Sequence, residues 1–287
     1  MKSDRSVQYW TRMSSQDIEN MWAEEYPCII IPIGVCEAHG EFLPVGLDVM
    51  FAGVVAHLVA ERIQQRGARP IIFDCVNYCG VVGASFGLTG TIGFPALRST
   101  ERLFTALQEL FAEGFERFFI INGDAGTAKS LIPFLYRATE ERQKFFYEHD
   151  GAISLFTWFD GIENVGHASI VEHAFYTYLV QLADYHTREV ANRLGMVRSL
   201  NNELLKKLDV APRKYPTPRQ EFSSWQSLDE QNNKYGISYF SYDEYRKFLD
   251  SGKVHELWER QLTRIAEDML AIMNIRNDSS TIKGVVE

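Results

Sequence analysis

The stretch Cys28-Ile-Ile-Ile-Pro-Ile-Gly-Val-Cys-Glu-Ala-His-Gly-Glu-Phe-Leu-Pro-Val-Gly-Leu-Asp48 decides how this chain is read. Its first six residues are short, apolar and rich in β-branched side chains, the pattern of a strand buried on both faces of a parallel sheet. A helical pattern begins near Val49, so Glu37, His39 and Asp48 fall between the strand exit and the helix start. In open α/β sheets ligands bind in the crevice beyond the carboxyl ends of the strands. Two carboxylates and an imidazole placed there have the chemistry of a metal coordination shell.

Working outward, apolar runs alternate with amphipathic ones. The expected strands are residues 28–34, 70–76, 117–122 and 152–158, and the expected helices are about 49–66, 99–114, 127–146 and 171–194. Such alternation demands a mainly parallel central sheet covered by helices on both faces, a three-layer α/β/α fold. Helix 49–66 carries Phe51, Val54, Val55, Leu58 and Val59 at helical spacing and stops at Gly67, with His57 inside the pattern as a packing or surface residue. Residues 76–97 contain Gly80, Gly83, Gly87, Gly90 and Gly93 but no phosphate-cradle spacing, and are expected to form a structured loop, either lying against substrate or a neighbouring subunit or running as an ordinary long surface loop.

From about 197 to 250 the character changes. A Pro/Arg/Thr run is followed by Phe222, Trp225, Tyr235, Tyr239, Phe240, Tyr242 and Tyr245, aromatics interleaved with polar residues that suggest an excursion packed on something. The final helix, roughly Lys253 to Ile275, shows Leu257, Leu262, Ile265, Met269 and Leu270 on a helical period and should dock on the main core. The whole chain, 1–287, is expected to be one domain.

Composition narrows the function classes. A net charge of -9 argues against a nucleic-acid binder or an acidic-membrane binder, which need a basic footprint. No apolar run is long enough to cross a bilayer and no secretory leader is visible, so the expectation is a cytoplasmic chain acting on a small-molecule substrate. Cys28, Cys36, Cys75 and Cys79 read as reduced thiols, with Cys36, beside Glu37, placed to line the cleft. The Cys75–Cys79 spacing could be half of a zinc site, but no second pair completes it.

Four segments then fall into a known order. Glu37-Ala-His39-Gly40 with Leu43-Pro44-Val-Gly46-Leu-Asp48 resembles the E-x-H-G-x-H-L-P-x-x-T-D signature of the creatininase (creatinine amidohydrolase) family. Gly90-Thr91-Ile92 resembles its G-T-[IL] loop, Asn122-Gly123-Asp124-Ala125-Gly126-Thr127 stands where it has N-G-H-G-G-N, and His167-Ala168-Ser-Ile-Val-Glu172 resembles its H-A-G-x-x-E-T-S segment. The likeness covers roughly residues 25–195, and an ordered set is far more specific than any one motif.

That resemblance implies two divalent ions, manganese, iron or zinc, sharing Asp48 as a bridge, with Glu37, His39, Asp124 and Glu172 completing the ligands. Two ions about 3.5 Å apart ionise a water near neutral pH and polarise a carbonyl. It also implies Gly90 and Thr91 as substrate contacts and a homo-oligomer, a hexamer in many relatives. Some positions depart from the pattern: Asp124 replaces the usual His, Phe42 stands where a second His is usual, and His173-Ala174 replace Thr-Ser. The resulting donor set is harder and more anionic, which favours Mn²⁺, Fe²⁺ or Mg²⁺ over Zn²⁺. His173, at a helix start, could be the general acid or the substitute ligand, and His167 the acid or a substrate-orienting group. Trp158 and Asp160, at a strand end, are expected as cleft wall and supporting partner.

The function implied is a metal-dependent hydrolase cleaving a small amide or cyclic amide. Within enzymes the alternatives are deformylation of a formamide or hydrolysis of a cyclic polyol ketone. Outside them, the alternative is a catalytically silent scaffold or ligand-binding subunit.

Overall fold

The computed structural model describes residues 6–21, 24, 26–39, 42–78, 90–93, 96–132, 152–163, 165, 167–196 and 242–274. Cys79, most of the glycine-rich loop, residues 133–146 of one expected helix and the stretch 197–241 lie outside them. Five strands form one parallel sheet: β1 (Gln8–Tyr9), β2 (Pro27–Ile33), β3 (Arg69–Ile72), β4 (Arg117–Asn122) and β5 (Ala152–Thr157). Their order is β1-β3-β2-β4-β5. The helices with both ends described are α1 (Ser15–Met21), α2 (Leu47–Gln65), α3 (Ala96–Ala112), α4 (Ile170–Thr177), α5 (Tyr185–Arg193), α6 (Tyr242–Asp250) and α7 (Lys253–Ile272), and a further helical run covers 125–132.

Period-two alternation along the central strands builds the three layers. On β2 the buried Cys28 and Ile30 join one core cluster, with α2 and α4 to α7, while Ile29, Ile31 and Ile33 join the other, with α1 and α3. On β4 Phe119 and Ile121 face the first cluster and Phe118 and Ile120 the second. Both faces of these strands are therefore apolar, which is why the runs read as continuous rather than alternating.

The strand order fixes where a site can form. From β2 the chain returns to β3 on one side, and from β4 it moves to β5 on the other, so β2 and β4 flank the point where the winding reverses. The crevice at their carboxyl ends is the natural binding position of such a sheet. The backbone closes tightly there. A Cβ on Gly34, one residue past β2, would lie 2.6 Å from the Val49 nitrogen and 2.7 Å from the Asp48 carbonyl carbon. A Cβ on Gly123, one residue past β4, would run into the Asp48 carbonyl oxygen. Only glycine lets both strand exits press against the first turn of α2.

One expectation is corrected. The pattern expected over 171–194 is not one helix. It comprises α4, a wide π turn at Tyr178–Leu182, and α5, which starts afresh after an extended Ala183. Asp184 caps the new start by accepting from the Thr187 N–H at 3.0 Å and its hydroxyl at 2.7 Å, and this cap overrides a hydrophobic period that runs through the break. The aromatic stretch ends in a docked helix: in α6, Tyr245 is fully buried and shares a 2.7 Å hydrogen bond with Thr177. His57 is buried on α2 between Tyr9, at 2.8 Å, and Glu61. No helix among the described residues is long and apolar enough to cross a membrane.

Replacing Gly123 with Ala is expected to cost about 1–3 kcal/mol of stability by displacing the start of α2. Urea unfolding of the variant beside the parent checks this, and an unchanged midpoint would contradict the close approach.

Candidate metal centre

Three strand-to-helix segments deliver donors to the crevice. The loop leaving β2 carries Glu37 and His39. It is held from both sides: the Glu37 N–H donates to the Val45 carbonyl at 2.8 Å, and the Ala38 N–H donates to the Thr91 hydroxyl at 2.9 Å. Asp48 is the second residue of α2 and is buried. A carboxylate in the first turn of a helix sits against the positive end of the backbone dipoles.

Asp124 follows β4 and caps the helical run 125–132, its Oδ2 accepting the Thr127 N–H at 2.6 Å. Its backbone is pinned to Asn122, whose Nδ2 donates to the Asp124 carbonyl at 2.5 Å and to the Thr157 hydroxyl at 3.2 Å. Glu172 lies in the first turn of α4, capped by Ser169. A Ser-x-x-Glu pair commonly closes a capping box, the carboxylate reaching back to the helix end. Here Glu172 Oε2 is buried and makes no hydrogen bond. Ahead of that cap Ala168 adopts φ of 50°, a left-handed conformation that costs a residue with a Cβ and turns the chain so that His167 and Glu172 reach one cluster.

The donor atoms meet in three overlapping groups, each with all atoms within 4.8 Å of one another: His39, Asp48 and Glu172; Glu37, Asp48 and Asp124; Glu37, His39 and His167. Asp48 belongs to the first two. The imidazole tautomers agree with a cation at this place. His39 Nδ1 lies 2.9 Å from the Glu37 carbonyl and so carries the proton, which leaves Nε2 as a bare lone pair 3.3 Å from Asp48. A lone pair against a carboxylate is repulsive unless a proton or a metal cation lies between them. His39 Nε2, Asp48 Oδ2 and Glu172 Oε2 are all buried without a hydrogen bond, and the three residues that carry them form one of the three groups. Orphaned polar atoms in a dry interior are costly, and metal ligation is a standard way of satisfying them. The residues present fit a bound metal.

Protonation equilibria show the same strain. Burial pushes Asp48 well above the usual carboxylate range, and the charges of Glu37 and Asp124 push it further. Burial raises Glu172 to about 7, with Asp48 and Glu37 adding to the shift. Asp124 is raised by burial and by Glu37, tempered by the Thr127 N–H. Burial lowers His39. Burial also works to lower His167, but its Nδ1 lies 3.1 Å from Glu37 and its Nε2 against the Ala38 carbonyl, and these contacts raise it to about 9.

The remaining expected residues are placed as follows. His173 is buried, its Nδ1 donating to the Ser169 carbonyl at 2.9 Å and its ring edge-on to Phe42. Burial holds it down at about 4, so it is neutral because it is dry rather than because it stands at a helix end. It belongs to none of the metal-capable groups among the described residues, whereas His167, expected as an acid, belongs to one. Trp158 is not a cleft wall. At 1% exposure it stacks among Phe51, Phe175 and Trp258 in the core. Asp160 Oδ2 accepts the Thr157 N–H at 3.3 Å, steadying the end of β5. Cys36 is half-buried and pairs with Ile92, while Gly90 passes against Val45 at φ of 92° and Thr91 braces the donor loop. Sequence reading missed the bracing by Val45 and Asn122. Neither residue type carries a chemical signal for it, because one acts through its carbonyl and the other through a strand-end turn.

Without metal, the carboxylate shift predisposes the fold to lose stability as pH rises. Glu172 binds its proton more tightly folded than unfolded, so its contribution is lost between its ordinary value and about 7; His167 behaves alike up to about 9. His173, depressed to about 4, works the other way, but only below its ordinary value of 6.5. From about pH 6.5 to 9 the metal-free chain is therefore expected to lose thermal stability, and saturating Mn²⁺ to raise the melting temperature more at pH 8.5 than at 6.5. Differential scanning calorimetry at both pH values checks the sign.

Comparisons with known proteins bear on the family and the fold. The family model for creatinine amidohydrolase (creatininase) matches residues 11–213. The mycofactocin precursor peptide peptidase of Mycolicibacterium smegmatis is 29% identical over 107 residues, 37% of this chain, which spans only 42% of that protein's length. Among solved structures, a creatinine amidohydrolase (creatininase) superposes with a TM-score of 0.65 at 17% identity, covering 93% of this chain and 98% of that one. A manganese creatininase gives 0.65 at 16% identity with the same coverage, and a zinc–zinc form of a mutant gives 0.64 at 17%. At these identities the structural likeness speaks to the fold.

Proposed function

The chain belongs to the creatinine amidohydrolase family, and from that membership and the donor cluster we propose that it is a divalent-metal-dependent hydrolase acting on the C–N bond of an amide. The observation that carries this reading is the convergence of His39, Asp48 and Glu172 in one group, each with a buried side-chain atom that has no hydrogen bond. His39, Asp48 and Glu172 would hold one ion and Glu37, Asp48 and Asp124 a second, Asp48 being common to both. When bound, such ions polarise a carbonyl and lower the pKa of a water molecule toward neutrality. Five oxygen and nitrogen side chains, four of them carboxylates, suit Mn²⁺ or Fe²⁺ better than Zn²⁺.

The chain's own groups do the rest. The Val45 and Thr91 contacts hold Glu37 and His39 in place, and the turn at Asn122 together with the helix cap holds Asp124. Buried Phe42 and neutral His173 form a dry wall near His39. His167, part-buried at the edge of the cluster, carries a proton on Nδ1 beside Glu37, where it can be passed to a departing nitrogen. The substrate class is a small amide or cyclic amide. The name of the M. smegmatis relative, a peptide peptidase, supports extending it to a peptide amide.

Elemental analysis of the chain produced in manganese-supplemented medium is expected to find at least about one equivalent of divalent metal. Asp48→Ala is expected to weaken metal affinity by more than the roughly 10–100-fold that loss of an outer supporting partner costs, and to abolish hydrolysis. A metal-free parent protein would favour a silent scaffold, and parent-like metal content in the variant would exclude Asp48 as the shared ligand.

A further inference from the structure

Three of the seven large apolar side chains that are exposed among the described residues lie on segments whose backbone bonds to the chain between Gly34 and Glu37. Val45 is 40% exposed, Tyr78 47% and Ile92 57%. They come from three separate segments: the turn before α2, the exit of β3 and the loop at 90–92. Each is tied by its backbone or a neighbour's to the donor loop. The Val45 carbonyl receives the Glu37 N–H, and the Ile92 N–H donates to the Cys36 carbonyl at 2.8 Å. The Asn77 carbonyl, next to Tyr78, receives the Gly34 N–H at 2.9 Å. Two of the side chains crowd neighbouring glycines. Gly90 passes so near Val45 that a Cβ would stand 2.7 Å from Val45 Cγ1, and the Tyr78 hydroxyl lies 3.8 Å from where a Cβ on Gly46 would be.

Exposed aliphatic and aromatic groups drawn from three loops to one place commonly mark a binding surface, whereas isolated ones are ordinary. The backbones that carry the lip bond to Gly34, Cys36 and Glu37, on the segment that holds the donors, so a molecule whose carbonyl lies at the cluster has the lip beside it for its adjoining group. The donor cluster is strongly anionic and polar, and the lip offers apolar contact with one hydroxyl. We propose that Val45, Tyr78 and Ile92 form a specificity subsite that selects substrates bearing an apolar or aromatic group next to the scissile carbonyl. The inference deepens the hydrolase reading and rests on it. A small, wholly polar ring would leave the lip wet, whereas a hydrophobic acyl group would cover it.

Binding of two metal-chelating probes to the manganese-loaded full chain separates the two layers of the argument. Acetohydroxamate offers the chelating head alone, and benzohydroxamate adds an aromatic ring. In isothermal titration, benzohydroxamate is expected to bind about tenfold more tightly, as burial of a ring on an apolar surface allows. The ratio is expected to fall toward one in Tyr78→Ser and in Ile92→Ser, both at exposed positions. A ratio near one in the parent chain, or a ratio that survives both substitutions, overturns the subsite. Loss of an oligomer in the variants with no change in ratio also overturns it, assigning the lip to contact between copies. Failure of acetohydroxamate to bind at all takes down the metal-centre reading on which the proposal stands.

Discussion

Crowding of carboxylates in a dry crevice is the constraint around which this structure is arranged. Glu37, Asp48, Asp124 and Glu172 converge at the ends of the central strands, and His39 and His167 are the imidazoles set among them. Unpaired charges of one sign cannot share a low-dielectric space without protonation or a cation. The raised proton affinities of Asp48, Asp124 and Glu172 express that conflict in the absence of metal. A folded chain tolerates such a concentration of opposed groups only when the backbone forces it, and here it does. Gly34 and Gly123 bring two strand exits against the first turn of α2, and Asp48 has nowhere else to go.

The replacement of the family's usual imidazole by Asp124 gains a physical account from the same geometry. One oxygen of that carboxylate caps the following helical run, and the side chain also joins Glu37 and Asp48 in a donor group. Capping fixes the side-chain rotamer at little cost, since the cap would be wanted in any case. The price is a harder donor set and more negative charge in the crevice. His167 supplies a second imidazole at the opposite edge, beside Glu37.

Much of this was legible in the residues. The four longer strands and the layered α/β/α order followed from apolar runs alternating with amphipathic ones, because strands buried on both faces write themselves as unbroken hydrophobic sequence. Glu37, His39 and Asp48 were visible because they lie within twelve residues of one another at a strand exit. Glu172 and Asp124 were reachable only through an ordered set of motifs, since nothing local reveals that distant strand ends meet. Trp158 misled because a strand-end position says where the backbone emerges and not which way the indole turns; the aromatic cluster around Phe175 and Trp258 claimed it. The break at Ala183 was hidden because hydrophobic spacing continued across it while the decisive signal was a short Asp184-to-Thr187 cap. Two-residue β1 was too short to register as a pattern.

Anomalous X-ray diffraction from crystals grown with Mn²⁺ tests the central claim most directly. An anomalous peak is expected within about 2.0–2.3 Å of Asp48, a typical ligand distance for such ions, with His39 and Glu172 or Glu37 and Asp124 completing its shell. Crystals in which these side chains keep their places yet no manganese density lies between them would contradict it.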